Sequence, residues 1–460
     1  MKRFLIPLLL LAASVLSGYL FLRYSLLCQE LDGLFLRTPD YFRWALARPF
    51  PVAQVLSDWM TQFYRLAAWG PWLLGLQVLC AYGLLKGILP SRYELTPALG
   101  ACGEWLVIAF SATAKPGVAV LLILFVLWLV SRFFRREKEA PVAMQRILSA
   151  LAVGACFLVV ALAPGIRRTE RWARVKSGIV FRKPETVLKA ATPAYVESDP
   201  ELAPFALLAL GDQGALGDHL FDYPVHEEND FDMCDEEDYY NSLLYRAFLY
   251  DRLACPDEVA HNLFQLGTQQ RHGTSFLVLR QLVTEYFLQG DYGLVEKYLK
   301  ILDRSSAHQA YTASFRRLMA EGSPREKDTP LTRGEAPLIT RNPLYNLMQL
   351  SLRGTSSDFA VDRLLCTLLL QRDLPRFATA FEAASSSPRF SSRIPKAYQE
   401  ALLLYGQMSD APSAGSVISQ QTENRFRRFM VQMNEGTDLS VQQADFGNTF
   451  WFYYYYAGSE

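Results

Sequence analysis

The sequence predicts an all-α protein in two parts, an N-terminal bundle of transmembrane helices followed by a soluble domain of α-helical repeats. Three observations lead to this prediction. The first 166 of the 460 residues contain apolar stretches long enough to cross a lipid bilayer. From about residue 195, apolar residues recur at three- and four-residue spacing, which is typical of amphipathic helices. One helix–turn–helix pattern near residue 290 also recurs 82 residues later.

Five membrane spans are predicted, at about residues 4–22, 66–88, 98–114, 117–134 and 147–166. The first follows Lys2 and Arg3 as a signal sequence would, but no small-residue cleavage site comes after it, so we expect an uncleaved anchor. The alternative is four spans, with a single helix across 98–134. That helix would place Lys115 near mid-membrane, at a cost of about 2.5–3.5 kcal/mol. A turn at Lys115–Gly117 between two short spans avoids this cost.

Basic residues predict the orientation of the bundle, because they favour the cytoplasmic side. Five spans with the N-terminus inside place the following in the cytoplasm: Lys2, Arg3, Lys86, Arg92, Arg132, Arg135, Arg136, Lys138 and Arg146. We therefore expect a multi-pass protein of the cell inner membrane with a periplasmic C-terminal domain. A second basic cluster directly after the last span, from Arg167 to Lys176, argues in the opposite direction.

The segments around the spans have different characters. Residues 24–65 combine aromatic side chains with arginines, as in Asp40 to Trp44, which is typical of interfacial helices on the bilayer surface; a substrate groove is the alternative. Residues 167–194 are predicted to be a juxtamembrane linker. Residues 195–320 form the first helical-repeat part, 321–342 a flexible crossover rich in Pro and charge, and 343–460 the second repeat part with an aromatic tail.

The repeat turns are predicted from short polar signals between apolar helix faces. The clearest turn lies at Gly290, Asp291 and Tyr292, and a second at Asp373 and Leu374 has Leu-Gln-x-Asp at the same offsets. A weaker copy surrounds Gly211 and Asp212. Repeated helix pairs that bury their faces against neighbours are the signature of an α-α solenoid.

Two resemblances extend this interpretation. The segment YFLQGDYGLVEKYLKIL resembles the second half of a tetratricopeptide repeat, although the strict 34-residue period of that class is absent. The segments LFLRTPDYFRWAL, LSDWMTQFYRLAAWGPWL and FGNTFWFYYYY resemble an uncharacterised family of polytopic proteins from Gram-negative, Bacteroidales-like bacteria. The second resemblance implies location and architecture, and no activity.

Candidate chemical sites are few. The acidic run 226–238 lacks the glycine and the spacing of a calcium loop, so a solvated loop is expected. Glu30, Asp32 and Asp40 in the first loop allow an enzyme or accessory subunit of envelope glycan or lipid assembly, and Glu104 in a weak span could be a relay residue, although a place near the interface is favoured. A Cys234–Cys255 disulfide is possible. The histidines, at positions 219, 226, 261, 272 and 308, show no ligand spacing.

These observations favour a non-enzymatic scaffold that presents a repeat domain to a protein or peptide partner, with a transport component as a further alternative. No catalytic, cofactor-binding or metal-binding residue is predicted. Equal numbers of basic and acidic residues, 46 of each, give no reason to expect nucleic-acid binding. The tail residues Trp451, Phe452, Tyr453 and Tyr454 are expected to pack on Phe426 and Phe429, with the bilayer interface as the alternative environment.

Overall fold

The structure is a computed structural model, and the residues that it describes are 4–64, 69–89, 95–111, 113–131, 142–226, 231, 239–270, 273–321, 342–351, 358–385, 390, 393–409 and 418–456. All regular secondary structure in these residues is helical. The chain divides into two compact units, each assembled from two stretches. Unit 1 comprises Met1–Ser177 with Gly267–Pro330, and unit 2 comprises Gly178–Leu266 with Leu331–Glu460.

The helices of the first stretch are α1 (Leu5–Phe21), α2 (Arg23–Asp32), α3 (Pro39–Leu46), α4 (Pro51–Thr61), α5 (Trp69–Ile88), α6 (Leu95–Phe110), α7 (Lys115–Ser131), α8 (Val142–Leu162) and α9 (Pro164–Val180). Next come α10 (Pro184–Leu188), α11 (Pro193–Ser198), α12 (Ala203–Asp212), α13 (Leu216–His219), α14 (Tyr239–Arg252), α15 (Pro256–Thr268), α16 (Phe276–Leu288), α17 (Tyr292–Leu302) and α18 (Gln309–Glu321). The last are α19 (Pro343–Ser351), α20 (Asp358–Leu370), α21 (Leu374–Ala384), α22 (Lys396–Ser409), α23 (Gln420–Asn434), α24 (Leu439–Phe446) and α25 (Phe450–Tyr456). Short 3₁₀ turns lie at Pro200–Leu202 and Leu220–Asp222.

Two of the described helices, α5 and the Gln145–Leu162 part of α8, are long and apolar enough to cross a membrane. Helices α1 and α2 meet the same criterion together, but they are bent by 77° at Leu22. Helices α6 and α7 are apolar but have only 16 and 17 residues. Each predicted span therefore corresponds to a helix, whereas two or three helices have spanning length.

The predicted turn at Lys115–Gly117 is displaced in the structure. These residues form the first turn of α7, and the break between α6 and α7 precedes them. Proline fits the first turn of a helix, because its missing N–H would have no intrahelical acceptor there. Pro116 therefore starts the helix instead of interrupting it.

The core of unit 1 lies where α1, α5, α6 and α8 pack together. Leu10, Leu74, Trp105 and Val160 are fully buried in one cluster. The Trp105 indole donates a hydrogen bond to Ser17 Oγ at 3.1 Å, so its polar edge is satisfied inside the apolar bundle.

The second stretch of unit 1 packs against residues 33–62, which follow α2. Phe276 N donates to the carbonyl of Gly33 at 3.2 Å, and Arg37 N donates to that of Arg304 at 2.9 Å. The buried Ser305 hydroxyl donates to Gln62 Oε1 at 2.7 Å. This division differs from the consecutive segments expected from the sequence, because α16–α18 belong with residues 24–65 and not with the rest of 195–320.

The two clearest repeat turns have the same backbone geometry. Gly290 and Arg372 occupy the left-handed region at φ of 76° and 57°, and the next residue, Asp291 or Asp373, caps the following helix. The N–H of Asp291 donates to Tyr286 O at 2.9 Å and that of Asp373 to Leu368 O at 3.0 Å. Tyr292 and Leu374 begin the second helix of each hairpin. The two hairpins lie in different units.

The third predicted turn has a different geometry. Gly211 and Asp212 lie in the last turn of α12, and the chain reverses at Gly214, which has a φ of 66°. A side chain at Gly211 would meet the Phe359 ring at 2.4 Å, so this glycine permits close packing of α12 against α20. Asp212 pairs with Arg252 at 2.9 Å.

Candidate functional site

Unit 2 contains a polar cavity of about 430 Å³ at the start of α22 and α23. Its lining residues are Asp218, Arg393, Lys396, Gln399, Glu400, Ser419, Gln421, Thr422 and Arg425. The volume is within the range of small-ligand pockets, and it could hold one side chain or chain terminus of a partner. The cavity is therefore the candidate functional site of this unit.

Three basic side chains line the cavity, and they differ in their partners. Arg393 forms an ion pair with Asp218 at 3.0 Å. Lys396 Nζ donates to the carbonyl of Asn448 at 2.6 Å, and Arg425 donates to the Asn448 side-chain oxygen at 2.7 Å. In the part of the chain that the structure describes, Lys396 and Arg425 form no ion pair, so two positive charges at the cavity are held by neutral oxygens.

Two helix N-termini add to this positive character. Asp218 accepts a hydrogen bond from Lys396 N at 2.9 Å and so occupies the N-terminus of α22. Ser419 caps α23 by accepting from Thr422 N at 3.2 Å, while Ser419 N donates to Gln399 Oε1 at 2.8 Å. Because helix N-termini carry partial positive charge, an anion at the Ser419 end of the cavity would be stabilised.

Glu400 joins the cavity wall to the C-terminal helix. It is almost fully buried, and its carboxylate accepts a hydrogen bond from Phe450 N at 2.7 Å. Burial raises the pKa of Glu400 to about 7, although Lys396, the Phe450 N–H and Arg425 act in the opposite direction. The Glu400 backbone carbonyl also accepts from Trp451 Nε1 at 2.8 Å. Glu400 of α22 therefore accepts two hydrogen bonds from α25, one at its carboxylate and one at its backbone carbonyl.

The aromatic tail packs inside unit 2. The Trp451 ring lies 4.9 Å from the Phe426 ring and 6.1 Å from the Phe429 ring, measured between centroids. Tyr453 is buried and its hydroxyl donates to Leu370 O at 2.7 Å. Phe452 and Tyr454 are partly buried. The tail therefore forms part of the support behind the cavity.

Two of the three acidic residues that follow the first span, Asp32 and Asp40, are bound to basic partners. Lys176 Nζ donates to both Asp32 oxygens, at 2.5 and 2.7 Å, and Arg43 pairs with Asp40 at 2.7 Å on the surface. Glu30 is buried. Such pairing favours a structural role for Asp32 and Asp40.

Several predicted features lie outside the described residues: 227–230 and 232–238 of the acidic run, Cys234 and with it the possible disulfide, and residues 322–341 of the crossover. Among the residues that are described, no group of three or more His, Cys, Asp or Glu side chains could hold a metal ion.

Sequence reasoning did not identify the cavity residues. Asp218 and Arg425 are more than 200 positions apart, and none of the lining residues belongs to a motif. The available signal was weak: Lys396 and Ser419 each stand at the start of an amphipathic stretch, and Ser419 is a good N-cap residue. Their convergence depends on tertiary packing.

The chain was also compared with known proteins. A model of a family of unknown function, DUF6057, matches residues 1–182 and 167–457, which is nearly the whole chain. No curated protein and no solved structure matches it.

Proposed function

We propose a function from the geometry alone, because the chain belongs to DUF6057, a family whose function is unknown. The chain is a non-enzymatic scaffold of the bacterial inner membrane, and its unit 2 binds an acidic group of a protein or peptide partner. The observation that carries this proposal is the pair Lys396 and Arg425 at the cavity, which donate to oxygens of Asn448 and form no ion pair with any described residue.

Exposed apolar side chains support the membrane part of the proposal. Leu8 on α1 and Leu151 on α8 are each 64% exposed, and α7 presents Ile123, Phe125, Val126 and Leu127 on its surface. Contiguous apolar surface of this kind is rare on soluble monomers and is typical of helices that face lipid.

Contacts inside unit 1 support five crossings of the membrane. Tyr24 N and Ser25 N both donate to the Glu170 carboxylate at 2.8 Å, so the end of α1 and the start of α9 lie at one end of the bundle. Thr113, which precedes α7, lines a small cavity with Gln29 of α2, so the break between α6 and α7 lies at that end as well. Both placements are consistent with an odd number of crossings from α1 through α8. The basic residues then favour a periplasmic unit 2.

The repeated hairpins support the interaction part of the proposal. Helical hairpins of the tetratricopeptide-like kind commonly form protein-binding surfaces. Because α16–α17 and α20–α21 belong to different units, we propose separate repeat hairpins instead of one uninterrupted solenoid.

The proposed binding site is tested by replacing Lys396 and Arg425 with uncharged residues in the full chain. A hydrogen bond to a charged group contributes about 1.5–3 kcal/mol, so Lys396→Met with Arg425→Met should weaken partner binding by more than about tenfold. The measurement is quantitative affinity capture from detergent-solubilised membranes, with recovery of each captured protein compared between variants.

Arg427 and Arg428 provide the matched control, because they lie on the same helix as Arg425 with side chains 70% and 69% exposed. Arg427→Met with Arg428→Met should recover the partner at the wild-type level. Equal recovery of every protein by the cavity variant and this control would refute the assignment of the cavity as the binding site.

A further inference from the structure

The helix bundle of unit 1 contains an acidic residue that lacks any hydrogen-bond partner. Glu104 of α6 is 2% exposed, and neither of its carboxylate oxygens is hydrogen-bonded within the described residues. Gln77 of α5 is also buried; its Nε2 lies 2.9 Å from Met60 Sδ, while its Oε1 is unpaired. Buried polar groups without partners are destabilising by a few kcal/mol, so three oxygens in one bundle indicate an occupant.

One oxygen of each residue lies near a common point beside Gly117, in the first turn of α7. A Cβ atom on Gly117 would lie 2.7 Å from Ile108 Cγ1, 3.1 Å from Glu104 Oε1 and 3.3 Å from Gln77 Oε1. The glycine therefore leaves room between a carboxylate oxygen and an amide oxygen. Three helices of the bundle, α5, α6 and α7, each contribute one of these residues.

A small cavity in unit 1 is lined by residues that are close in sequence to this point. It has a volume of about 80 Å³, enough for water, and Thr61, Thr113 and Lys115 are among its lining residues. Thr61 follows Met60, the contact of Gln77, and Lys115 lies two residues before Gly117. The cavity is thus a candidate route between water and the buried oxygens.

We propose that Glu104 and Gln77 bind a small monovalent cation, Na⁺ or a proton, which exchanges with water through the cavity beside Thr113 and Lys115. Hard cations take oxygen ligands, and a single carboxylate neutralises one positive charge. Ionisable residues within membrane helices commonly mark ion pathways. The site goes beyond the scaffold function, because it gives the bundle a role other than anchoring.

The first experiment measures the reactivity of Glu104 in the purified full chain in detergent. Dicyclohexylcarbodiimide modifies protonated carboxyl groups in apolar surroundings, and mass spectrometry locates the product. We expect modification of Glu104 that slows as the pH rises from about 5 to about 9. If Na⁺ is the occupant, NaCl slows the reaction more than choline chloride at equal concentration; if a proton is the occupant, the two salts have equal effects.

Matched glycine substitutions test the geometry. Gly117→Ala places a methyl group beside the two oxygens and against Ile108, and it should abolish Na⁺ protection or shift the pH midpoint of modification. Gly103→Ala is the control, because a Cβ atom there meets nothing within 4 Å. It should react as the wild type does.

A second readout covers the case in which Gly117→Ala fails to fold. An occupant that binds only the folded chain raises its melting temperature. For a Na⁺ site, NaCl should raise the melting temperature of the wild type above its value in choline chloride, and Glu104→Gln should abolish the difference. Glu104 that stays unmodified at every pH, or reacts at a rate that neither pH nor Na⁺ alters, would overturn the proposal.

Discussion

Glu400 makes the stability of unit 2 depend on pH. Its pKa rises from an ordinary value of 4.5 to about 7 because it is buried. A raised carboxyl pKa contributes stability that is fully present below pH 4.5 and is lost as the pH rises through 7. Glu400→Gln keeps an acceptor for Phe450 N but does not titrate. As the pH rises from 4.5 to 7, the free energy of unfolding of the wild type should therefore fall by about 3 kcal/mol relative to that of the variant.

The measurement is the melting temperature of the full chain in detergent, for wild type and variant, at a series of pH values. Glu435→Gln serves as the control, since Glu435 is exposed. If the wild-type and Glu400→Gln curves stay parallel from pH 4.5 to 8 within about one degree, the Glu400 carboxyl does not titrate in this range.

Gly290 tests backbone strain at a single residue. Its φ is 76°, and a Cβ atom there would meet nothing within 4 Å, so any destabilisation by Gly290→Val comes from the backbone. A side chain in this conformation costs about 1–2 kcal/mol. Ala254 offers the reverse change, because it already has a φ of 54°. Gly290→Val should lower the melting temperature and Ala254→Gly should raise it; changes of the same sign would contradict this account.

Helix α25 shows how a short element can support a site. Trp451 is fully buried against Phe426 and Phe429 and donates to Glu400. Trp451→Ala should destabilise the chain by about 3–5 kcal/mol. Tyr455→Ala, which truncates an exposed ring of the same helix, should cost much less. A wild-type melting temperature for Trp451→Ala would mean that the tail does not pack in unit 2.

The elements were predictable from the sequence to different degrees. Local patterns predicted the helices, since apolar spacing and caps such as Asp291 and Asp373 act within a few residues. The left-handed residue in the second hairpin is Arg372 and not glycine, so no composition signal marks it. The cavity and the return of α16–α18 to the first loop depend on contacts between residues far apart in the sequence, which periodicity does not encode.

At the scale of the whole molecule, the proposed arrangement of five crossings predicts where each end of the chain lies. A topology reporter fused after Glu460 should behave as exported, and one fused at Lys138 as cytoplasmic. A reporter after Lys2 should match the Lys138 result and serves as the control. A cytoplasmic signal at Glu460 would contradict an odd number of crossings.

The stretches of the two units alternate along the chain, so the parts of one unit are synthesised at different times. The first stretch of unit 2 leaves the ribosome before its partners, because Gly211 packs against Phe359 and Gly217 against Tyr398. The 64 residues from Gly267 to Pro330, which belong to the other unit, must be made in between. At about 5–20 residues per second these 64 residues alone take about 3–13 s, and apolar α12 is without its mature packing throughout. Helix α12 can aggregate with other chains while it is exposed. The yield of folded protein should therefore depend on translation speed through residues 267–330.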